Sequence, residues 1–189
     1  RLIKVRDDFR KGKHIFLSGK ERYPAIFLDR DGTIIQDIGH LNEISQIKFI
    51  PRSLKAIKKI NKSGYASIII TNQPDLGEKL IKEKVFNEMN KILNSLIFYD
   101  KLYVSRSHSL NSYFRKPNPG LFNLAIKKYK LDISKCFMIG DRKSDIDAAS
   151  KVKCKSIFIN RNYLEEKPNG QIAEVKSFKK AVGVILRKG

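Results

Sequence analysis

The feature that most constrains this chain is a short apolar run, Ala25–Leu28, that ends in two aspartates. Its four residues show no polar alternation, which is typical of a strand buried on both faces of a parallel sheet. Asp29 and Asp31 follow, and Gly32 comes next. Because ligands bind at the carboxyl ends of strands in open α/β sheets, the two aspartates are candidate site residues. Asp and Gly are also common turn residues, so this pair alone would favour a plain turn.

Strand and helix patterns alternate through the rest of the chain. A second buried-type strand is predicted over residues 66–70, and further strands are predicted over 102–105, 136–139 and 156–159. Helices are predicted from Pro51 to Gly64, over 78–97, over 121–129, around 145–149 and after the N-cap Ser177. The helix over 78–97 is expected to bury Phe86, Met89, Leu93 and Leu96. This alternation predicts an α/β fold, a Rossmann-like parallel sheet with helices on both faces.

Length and composition set the organisation. The 189 residues suit one domain, which we expect over 24–189. The basic and polar residues 1–23 are interpreted as a lead-in segment, such as the tail of an upstream domain. Cys136 and Cys154 lie in or beside apolar segments, which favours reduced thiols. The chain shows neither a run of the ~20 apolar residues that span a bilayer nor a secretory signal pattern, so we expect a cytoplasmic protein without membrane association.

The formal net charge is +20. Such a charge can indicate nucleic-acid binding, but the lysines are spread through nearly every predicted helix and form no long block. We therefore interpret them as a lysine-rich surface and do not expect nucleic acid as a partner. A small phosphorylated substrate would also be attracted by the positive field.

Polar clusters follow two further strands and precede one helix. Thr71 and Asn72 end the second strand, Asp141 ends the fourth, and Arg115 and Lys116 precede a helix. In a parallel sheet all of these meet at one edge. Converging carboxylates repel one another unless a cation binds among them, and hard oxygen ligands favour Mg²⁺. With a hydroxyl and a lysine for phosphate oxygens, the set indicates phosphoryl transfer through an aspartyl-phosphate.

The combined pattern resembles the haloacid dehalogenase (HAD) superfamily of phosphohydrolases, over about residues 25–160. The motifs are Asp29-x-Asp31-Gly-Thr, Thr71-Asn72-Gln73, Lys116-Pro117 and Gly140-Asp141-x-x-x-Asp145. Asp-Arg-Asp-Gly-Thr, Thr-Asn-Gln and Arg-Lys-Pro-x-Pro-Gly resemble the motifs of the subgroup that contains heptose bisphosphate and histidinol-phosphate phosphatases. Members of that subgroup have little or no cap domain, so a minimal cap is expected here.

The resemblance implies roles for the carboxylates. Asp29 would be the nucleophile, and Asp31 would protonate the leaving oxygen and then activate water. Mg²⁺ would lie between the Asp29 carboxylate, the Asp31 backbone carbonyl and Asp141. Asp145 would orient these groups from behind.

The resemblance also implies a substrate and the groups that bind it. Thr71 and Lys116 would hold the transferring phosphoryl group, helped by backbone amides near Asn72, and Arg115 would reach the rest of the substrate. The implied substrate is a sugar phosphate, D-glycero-D-manno-heptose 1,7-bisphosphate, converted to the 1-phosphate. Fusion to or association with a sugar nucleotidyltransferase is a further expectation.

One departure from the subgroup concerns zinc. Many members carry Cys and His zinc ligands just before the Arg-Lys-Pro stretch. Here residues 105–114 hold serines and Phe114 where thiolates would be needed, and His108 alone cannot complete a tetrahedral site. No zinc is therefore expected, and His40, in a loop near the site, is not expected to bind metal either.

Three alternative functions stay open at this point. A histidinol-phosphate phosphatase would use the same motifs. A nucleic-acid 3′-end phosphatase would need a basic groove with stacking aromatics, for which Tyr103, Tyr113 and Phe114 are the candidates. A non-catalytic binding module would normally lose Asp29, Asp31 or Lys116, and all three are present.

Overall fold

The computed structural model describes residues 22–97 and 99–188. Within these residues the strands are β1 (Ala25–Leu28), β2 (Ala66–Asn72), β3 (Lys101–Ser105), β4 (Phe137–Gly140), β5 (Lys155–Ile159) and β6 (Ala173–Val175). The helices are α1 (Ser53–Lys62), α2 (Pro74–Gly77), α3 (Glu83–Ile97), α4 (Gly120–Tyr129), α5 (Lys143–Lys151) and α6 (Phe178–Lys188). Most of the lead-in segment predicted over 1–23 lies outside the described residues. Tyr23 is described, and it is buried in the core.

The strands form one sheet in the order β3-β2-β1-β4-β5-β6, and every neighbouring pair is parallel. Parallel connections must cross a face of the sheet. Helices lie in four of the five connections, whereas the link from β5 to β6, described throughout, contains none. The two core clusters confirm that helices cover both faces. One cluster joins Ile26 and Leu28 to helices α1, α3 and α6. The other joins Ala25 and Phe27 to helices α4 and α5. The predicted fold class is therefore confirmed.

The helix predicted over 78–97 is wrong at its start. The structure has a short helix α2, a turn over 78–82, and then α3 from Glu83. Lys79 takes a φ of 60°, and the amides of Leu80 and Ile81 both donate to the carbonyl of Asp75, at 2.8 and 3.4 Å. These bonds close a turn where a continuous helix would need i to i−4 pairing.

Two smaller expectations also need correction. Leu96 is 47% exposed, and Ile97 is the residue that is buried, because the stripe continues from Leu93 by four residues rather than three. The sixth strand, β6, was not predicted, since its sequence Ala-Glu-Val contains no apolar run. The other predicted elements agree with the structure to within about two residues at each end.

The sheet order places a crevice at the carboxyl end of β1. The chain runs outward through β2 and β3 on one side of β1, and through β4, β5 and β6 on the other. Such a reversal of strand order opens a ligand-binding crevice. Between β1 and α1 the described chain has no helix longer than the 3₁₀ turn Ile44–Gln46, which agrees with a minimal cap. None of the helices in the described residues combines the length and hydropathy that crossing a bilayer requires.

Candidate active site

Most of the polar residues predicted to meet at the carboxyl edge line one cavity there, although Asp141 and Arg115 do not. The cavity has a volume of about 140 Å³. Its lining consists of Asp29, Asp31, Asp37, Thr71, Asn72, Lys116, Arg142, Ser144 and Asp145. Drug-sized ligands occupy pockets of about 300–1,000 Å³. The cavity therefore suits a phosphate group better than a whole sugar phosphate.

Lys116 is the central cation of this cavity. Its Nζ donates to Asp29 Oδ1 at 2.6 Å and to the carbonyl of Ile70 at 2.8 Å, and lies 2.6 Å from Asp145 Oδ1. These three acceptors match the three protons of the ammonium group. Lys116 is buried, with only 3% of its side chain exposed, so it is a fixed positive charge between two carboxylates.

Two hydrogen bonds between the Asn72 side chain and the Lys116 backbone set the position of Lys116. The Lys116 amide donates to Asn72 Oδ1 at 3.1 Å, and Asn72 Nδ2 donates back to the Lys116 carbonyl at 3.0 Å. Asn72 thus joins the end of β2 to the segment before α4. On the other side, Asp145 Oδ2 accepts the amide of Arg142 at 3.1 Å, at the first turn of α5. Asn72 therefore supports the site through Lys116, in addition to lining the cavity.

Asp141 is held by two hydroxyl groups. Thr33 Oγ1 donates to Asp141 Oδ1 at 3.1 Å, and Tyr163 Oη donates to Asp141 Oδ2 at 2.8 Å. Gly32 packs against the same carboxylate with a φ of +72°, and a Cβ atom at residue 32 would overlap Asp141 and crowd Tyr163. This turn therefore requires glycine both for its conformation and for space.

Three buried carboxylates form a possible cation site. One oxygen each from Asp29, Asp141 and Asp145 lies within 4.8 Å of the others. Against these three charges stands the single ammonium of Lys116, so a divalent cation would complete the charge balance, and the hard oxygen donors fit Mg²⁺. Asp145 contributes a carboxylate to this group. The Asp31 carboxylate does not belong to it and pairs with Gln73 and Arg30 instead. The resemblance assigns only the backbone carbonyl of Asp31 to the metal.

The electrostatics follow from burial. Burial raises the pKa of Asp29 well above its usual value; Lys116 opposes the rise, and Asp145 adds to it. Burial, with Asp145 adding, also raises the pKa of Asp141 to about 7, although Tyr163 and Thr33 act against it. Burial alone would lower the pKa of Lys116, but Asp145 and Asp29 outweigh it and the pKa rises. The cluster therefore favours bound protons or a cation.

The carboxylate of Asp31 lies in a separate hydrogen-bond network. Gln73 Nε2 donates to Asp31 Oδ2 at 2.7 Å and to Thr71 Oγ1 at 3.0 Å. Arg30, which is buried two residues after β1, lies 3.0 to 3.1 Å from Asp31 Oδ2 and donates to Gln73 Oε1 at 2.8 Å. Sequence reasoning assigned no role to Arg30 or Gln73. A charged residue immediately after a buried strand was the available signal for Arg30.

Two arginines differ from expectation in their placement. Arg115, expected at the mouth, donates from Nη1 to the carbonyl of Ser107 at 2.7 Å and does not line the 140 Å³ cavity. Arg142 lines the cavity instead; it stacks on the ring of Tyr163 at 3.7 Å and lies 2.9 Å from Asp37. Nothing in the sequence pattern singled out Tyr163 or Arg142.

Residues 105–114, which precede Arg115, are the place where related phosphatases would bind zinc. His108 is 72% exposed, and its nearest carboxylate is Glu78 at 4.0 Å. Among the described residues, the one group of three or more potential metal ligands is that of Asp29, Asp141 and Asp145. The expectation that the protein holds no zinc stays a prediction, which metal analysis can test.

The fold and the site together define a class of phosphoryl-transferring hydrolases with an aspartate pair after the first strand. The comparisons agree with this class. A family model described as HAD-hydrolase-like matches residues 113–173. A D-glycero-beta-D-manno-heptose-1,7-bisphosphate 7-phosphatase of Photorhabdus laumondii is 33% identical over 143 residues, which cover 69% of this chain and 76% of that protein. The chain therefore belongs to the HAD phosphatases and is a phosphoric monoester hydrolase.

Other relatives extend the comparison. A D-glycero-alpha-D-manno-heptose-1,7-bisphosphate 7-phosphatase of the same organism is 32% identical over 148 residues, covering 70% of this chain and 80% of that protein. The crystal structure of D,D-heptose 1,7-bisphosphate phosphatase from B. bronchiseptica, with magnesium and phosphate, has a TM-score of 0.79 at 21% identity. The match covers 88% of this chain and 99% of the B. bronchiseptica chain. At that identity the structural match supports the fold alone.

Proposed function

We propose that this chain is a Mg²⁺-dependent phosphatase that converts D-glycero-D-manno-heptose 1,7-bisphosphate to the 1-phosphate. The observation that carries the proposal is the buried group of Asp29, Asp141, Asp145 and Lys116 at the crevice beside β1. Relatives with about one third identity supply the substrate class, because those proteins are named for removing the 7-phosphate.

The reaction would run in two steps. Asp29 Oδ attacks the C7 phosphorus, the bond from phosphorus to the sugar oxygen breaks, and Asp31 gives its proton to that oxygen. Water then attacks the aspartyl-phosphate and gives a proton to the Asp31 carboxylate, the bond to Asp29 breaks, and phosphate leaves. Each step uses one carboxylate as nucleophile or leaving group and the other as acid or base.

The residues around the cavity would bind the transferring group. Thr71 offers a hydroxyl, Lys116 a fixed charge, and the amides near Asn72 add donors. A Mg²⁺ ion held by the carboxylates of Asp29 and Asp141 would neutralise charge on the phosphoryl oxygens. Asp145 would hold Lys116 and complete the acidic group from behind.

The cavity is too small for the whole substrate, so the sugar and the C1 phosphate would lie outside it. We assign Arg115 to the C1 phosphate. Its half-buried guanidinium already holds the Ser107 carbonyl, and its buried Nε has no hydrogen-bond partner. A modest movement would bring two of its donors to a phosphate, which is the usual geometry for arginine.

Relatives of the two anomeric specificities are almost equally similar, at 33% and 32% identity. The proposal therefore covers removal of the 7-phosphate, and both anomers belong in the test. The assay is kcat/KM for phosphate release from the α- and β-bisphosphates, the heptose 7-phosphate, histidinol phosphate and a 3′-phosphorylated oligonucleotide. We expect one of the bisphosphates to be preferred over every other compound.

Arg115→Ala is the matched probe of substrate choice. It should lower kcat/KM for the bisphosphate by about 10- to 100-fold and leave slow hydrolysis of an aryl phosphate almost unchanged, since that compound has no second phosphate. Arg106→Ala removes another arginine near the same loop, one that pairs with Glu83 on the surface at 2.6 Å, and should change neither. Preference for histidinol phosphate, or equal losses on both substrates in Arg115→Ala, would refute the assignment.

A further inference from the structure

We infer that Arg30 and Gln73 are positioning residues that hold the Asp31 carboxylate for both of its proton transfers. This inference rests on the proposed function, because it assigns a task to the acid–base residue of that reaction. The two residues follow different strands, Arg30 after β1 and Gln73 after β2, and both contact Asp31.

Arg30 is a buried cation near the site, at 2% exposure, slightly below the 3% of Lys116. Its guanidinium lies 5.4 Å from the ring centre of Phe86. Among the described residues its one carboxylate partner is Asp31. A buried guanidinium is stable when it is paired, so Arg30 draws the Asp31 carboxylate to one place and keeps it there.

Gln73 fixes that place from the second side, and Arg30 determines how Gln73 is oriented. Arg30 Nη2 can only donate, so it selects the Oε1 end of the Gln73 amide, at 2.8 Å. The Nε2 end must then face Asp31 Oδ2, at 2.7 Å, and Thr71 Oγ1, at 3.0 Å. In the reverse orientation donors would face donors and acceptors would face acceptors.

The network also joins Asp31 to the phosphate-binding side of the cavity. Thr71 accepts from the same Gln73 amide that holds Asp31, so the expected phosphate ligand and the acid–base residue share one support. Asp31 keeps access to the cavity, which it lines, and 24% of its side chain is exposed. Arg30 does not line the cavity, so it acts through Asp31 and Gln73 rather than on the substrate.

Leaving-group chemistry separates this role from a merely structural one. A sugar alkoxide needs the proton from Asp31 as it leaves, whereas p-nitrophenolate leaves readily without one. Loss of positioning should therefore lower kcat/KM for the heptose bisphosphate and spare kcat/KM for p-nitrophenyl phosphate. The water step needs Asp31 with either substrate, so its slowing would let the phosphorylated enzyme accumulate.

The experiment compares wild type, Arg30→Met, Gln73→Met and the control Arg106→Met, each with melting temperature measured beside the kinetics. For Arg30→Met and Gln73→Met we expect kcat/KM to fall about 10- to 100-fold for the bisphosphate and less than about 3-fold for p-nitrophenyl phosphate. A burst of p-nitrophenol equal to the enzyme concentration should appear before a slowed steady state. Arg106→Met should match wild type.

A double variant tests whether Arg30 acts through Asp31. In Asp31→Asn, adding Arg30→Met should change kcat/KM for the bisphosphate by less than about 2-fold, since the residue being positioned no longer transfers a proton. Unchanged kinetics in both single variants would overturn the inference. So would equal losses on both substrates without a burst. If Arg30→Met does not fold, Gln73→Met decides by the same criteria. A wild type that hydrolyses neither substrate would refute the proposed function instead.

Discussion

The raised pKa of Asp141 leads to a prediction about stability in the absence of metal. The perturbation is pH, applied to wild type and to Asp141→Asn in EDTA. In the folded protein Asp141 binds its proton up to about pH 7, whereas its ordinary pKa is 3.8. Between these values the folded state holds a proton that the unfolded chain has released. Stability must therefore fall as pH rises through this window.

The size of the effect follows from the same two values. One pKa unit corresponds to about 1.4 kcal/mol, so the rise from 3.8 to about 7 corresponds to roughly 4 kcal/mol. Relative to Asp141→Asn, wild type should have its full advantage below pH 4 and lose it by pH 8. Asp29 is present in both proteins, so the part of its raised pKa that comes from burial, Lys116 and Asp145 cancels in the comparison, whereas the smaller part that comes from Asp141 does not.

The assay is urea unfolding of both proteins at intervals from pH 4 to pH 9, with the difference in unfolding free energy plotted against pH. Mg²⁺ should reverse the loss in wild type, and its apparent affinity should fall about tenfold per pH unit below pH 7, because the metal competes with the proton. A difference plot that is flat to within ~1 kcal/mol, or that slopes the other way, would refute the reasoning.

Three further predictions test the turn, the metal and the surface charge. Gly32→Ala should destabilise the protein by about 2 kcal/mol or more and abolish Mg²⁺-dependent activity, because the new Cβ overlaps Asp141 at a positive φ; normal melting and turnover would contradict this. EDTA should abolish activity and Mg²⁺ restore it, while elemental analysis should find no stoichiometric zinc; one tightly held zinc per chain would contradict our interpretation of residues 105–114. Binding to a 3′-phosphorylated oligonucleotide should be weaker than about 1 μM at physiological salt and fall steeply with added salt, whereas tight binding would favour the end-processing alternative.

The parts of the structure that could be predicted are those in which local pattern and global fold agree. Ala25–Leu28 has no polar residue, so its only stable place is inside the sheet, and the aspartates after it had to lie at the carboxyl edge. The same reasoning predicts that Thr71, Lys116 and Asp141 lie near one another. Their convergence in one region follows from parallel strand topology.

The contacts that could not be predicted depend on tertiary geometry. Tyr163 comes from a segment after β5 with no regular pattern, and only the folded chain brings its hydroxyl to Asp141. Asp145 is expected to orient the metal site from behind, and the first turn of α5 brings one of its oxygens within 4.8 Å of oxygens of Asp29 and Asp141, a closeness that sequence spacing alone does not give. Arg115 is expected to reach the substrate beside Lys116, but its bond to the Ser107 carbonyl, outside the 140 Å³ cavity, depends on a loop contact that no local pattern contains.

The failures in secondary structure have the same origin. The apolar spacing from Phe86 onward indicates a helix correctly, but it cannot show where that helix starts, because Leu80 and Ile81 satisfy the same pattern from within a turn. Strand β6 gains its stability from pairing with β5 rather than from its own three residues. The start of a helix such as α3 and the presence of an edge strand such as β6 therefore depend on tertiary contacts, which a local sequence pattern does not contain.

The most direct test of the account follows the two phosphates of heptose 1,7-bisphosphate by ³¹P NMR, with wild type and Asp29→Asn in Mg²⁺. Wild type should release the C7 phosphate as inorganic phosphate and leave the C1 phosphate on the sugar. Asp29→Asn should fold as wild type does and lose turnover by several orders of magnitude, since an amide cannot form the aspartyl-phosphate. Release of the C1 phosphate, or turnover by a clean Asp29→Asn preparation within about tenfold of wild type, would contradict the account.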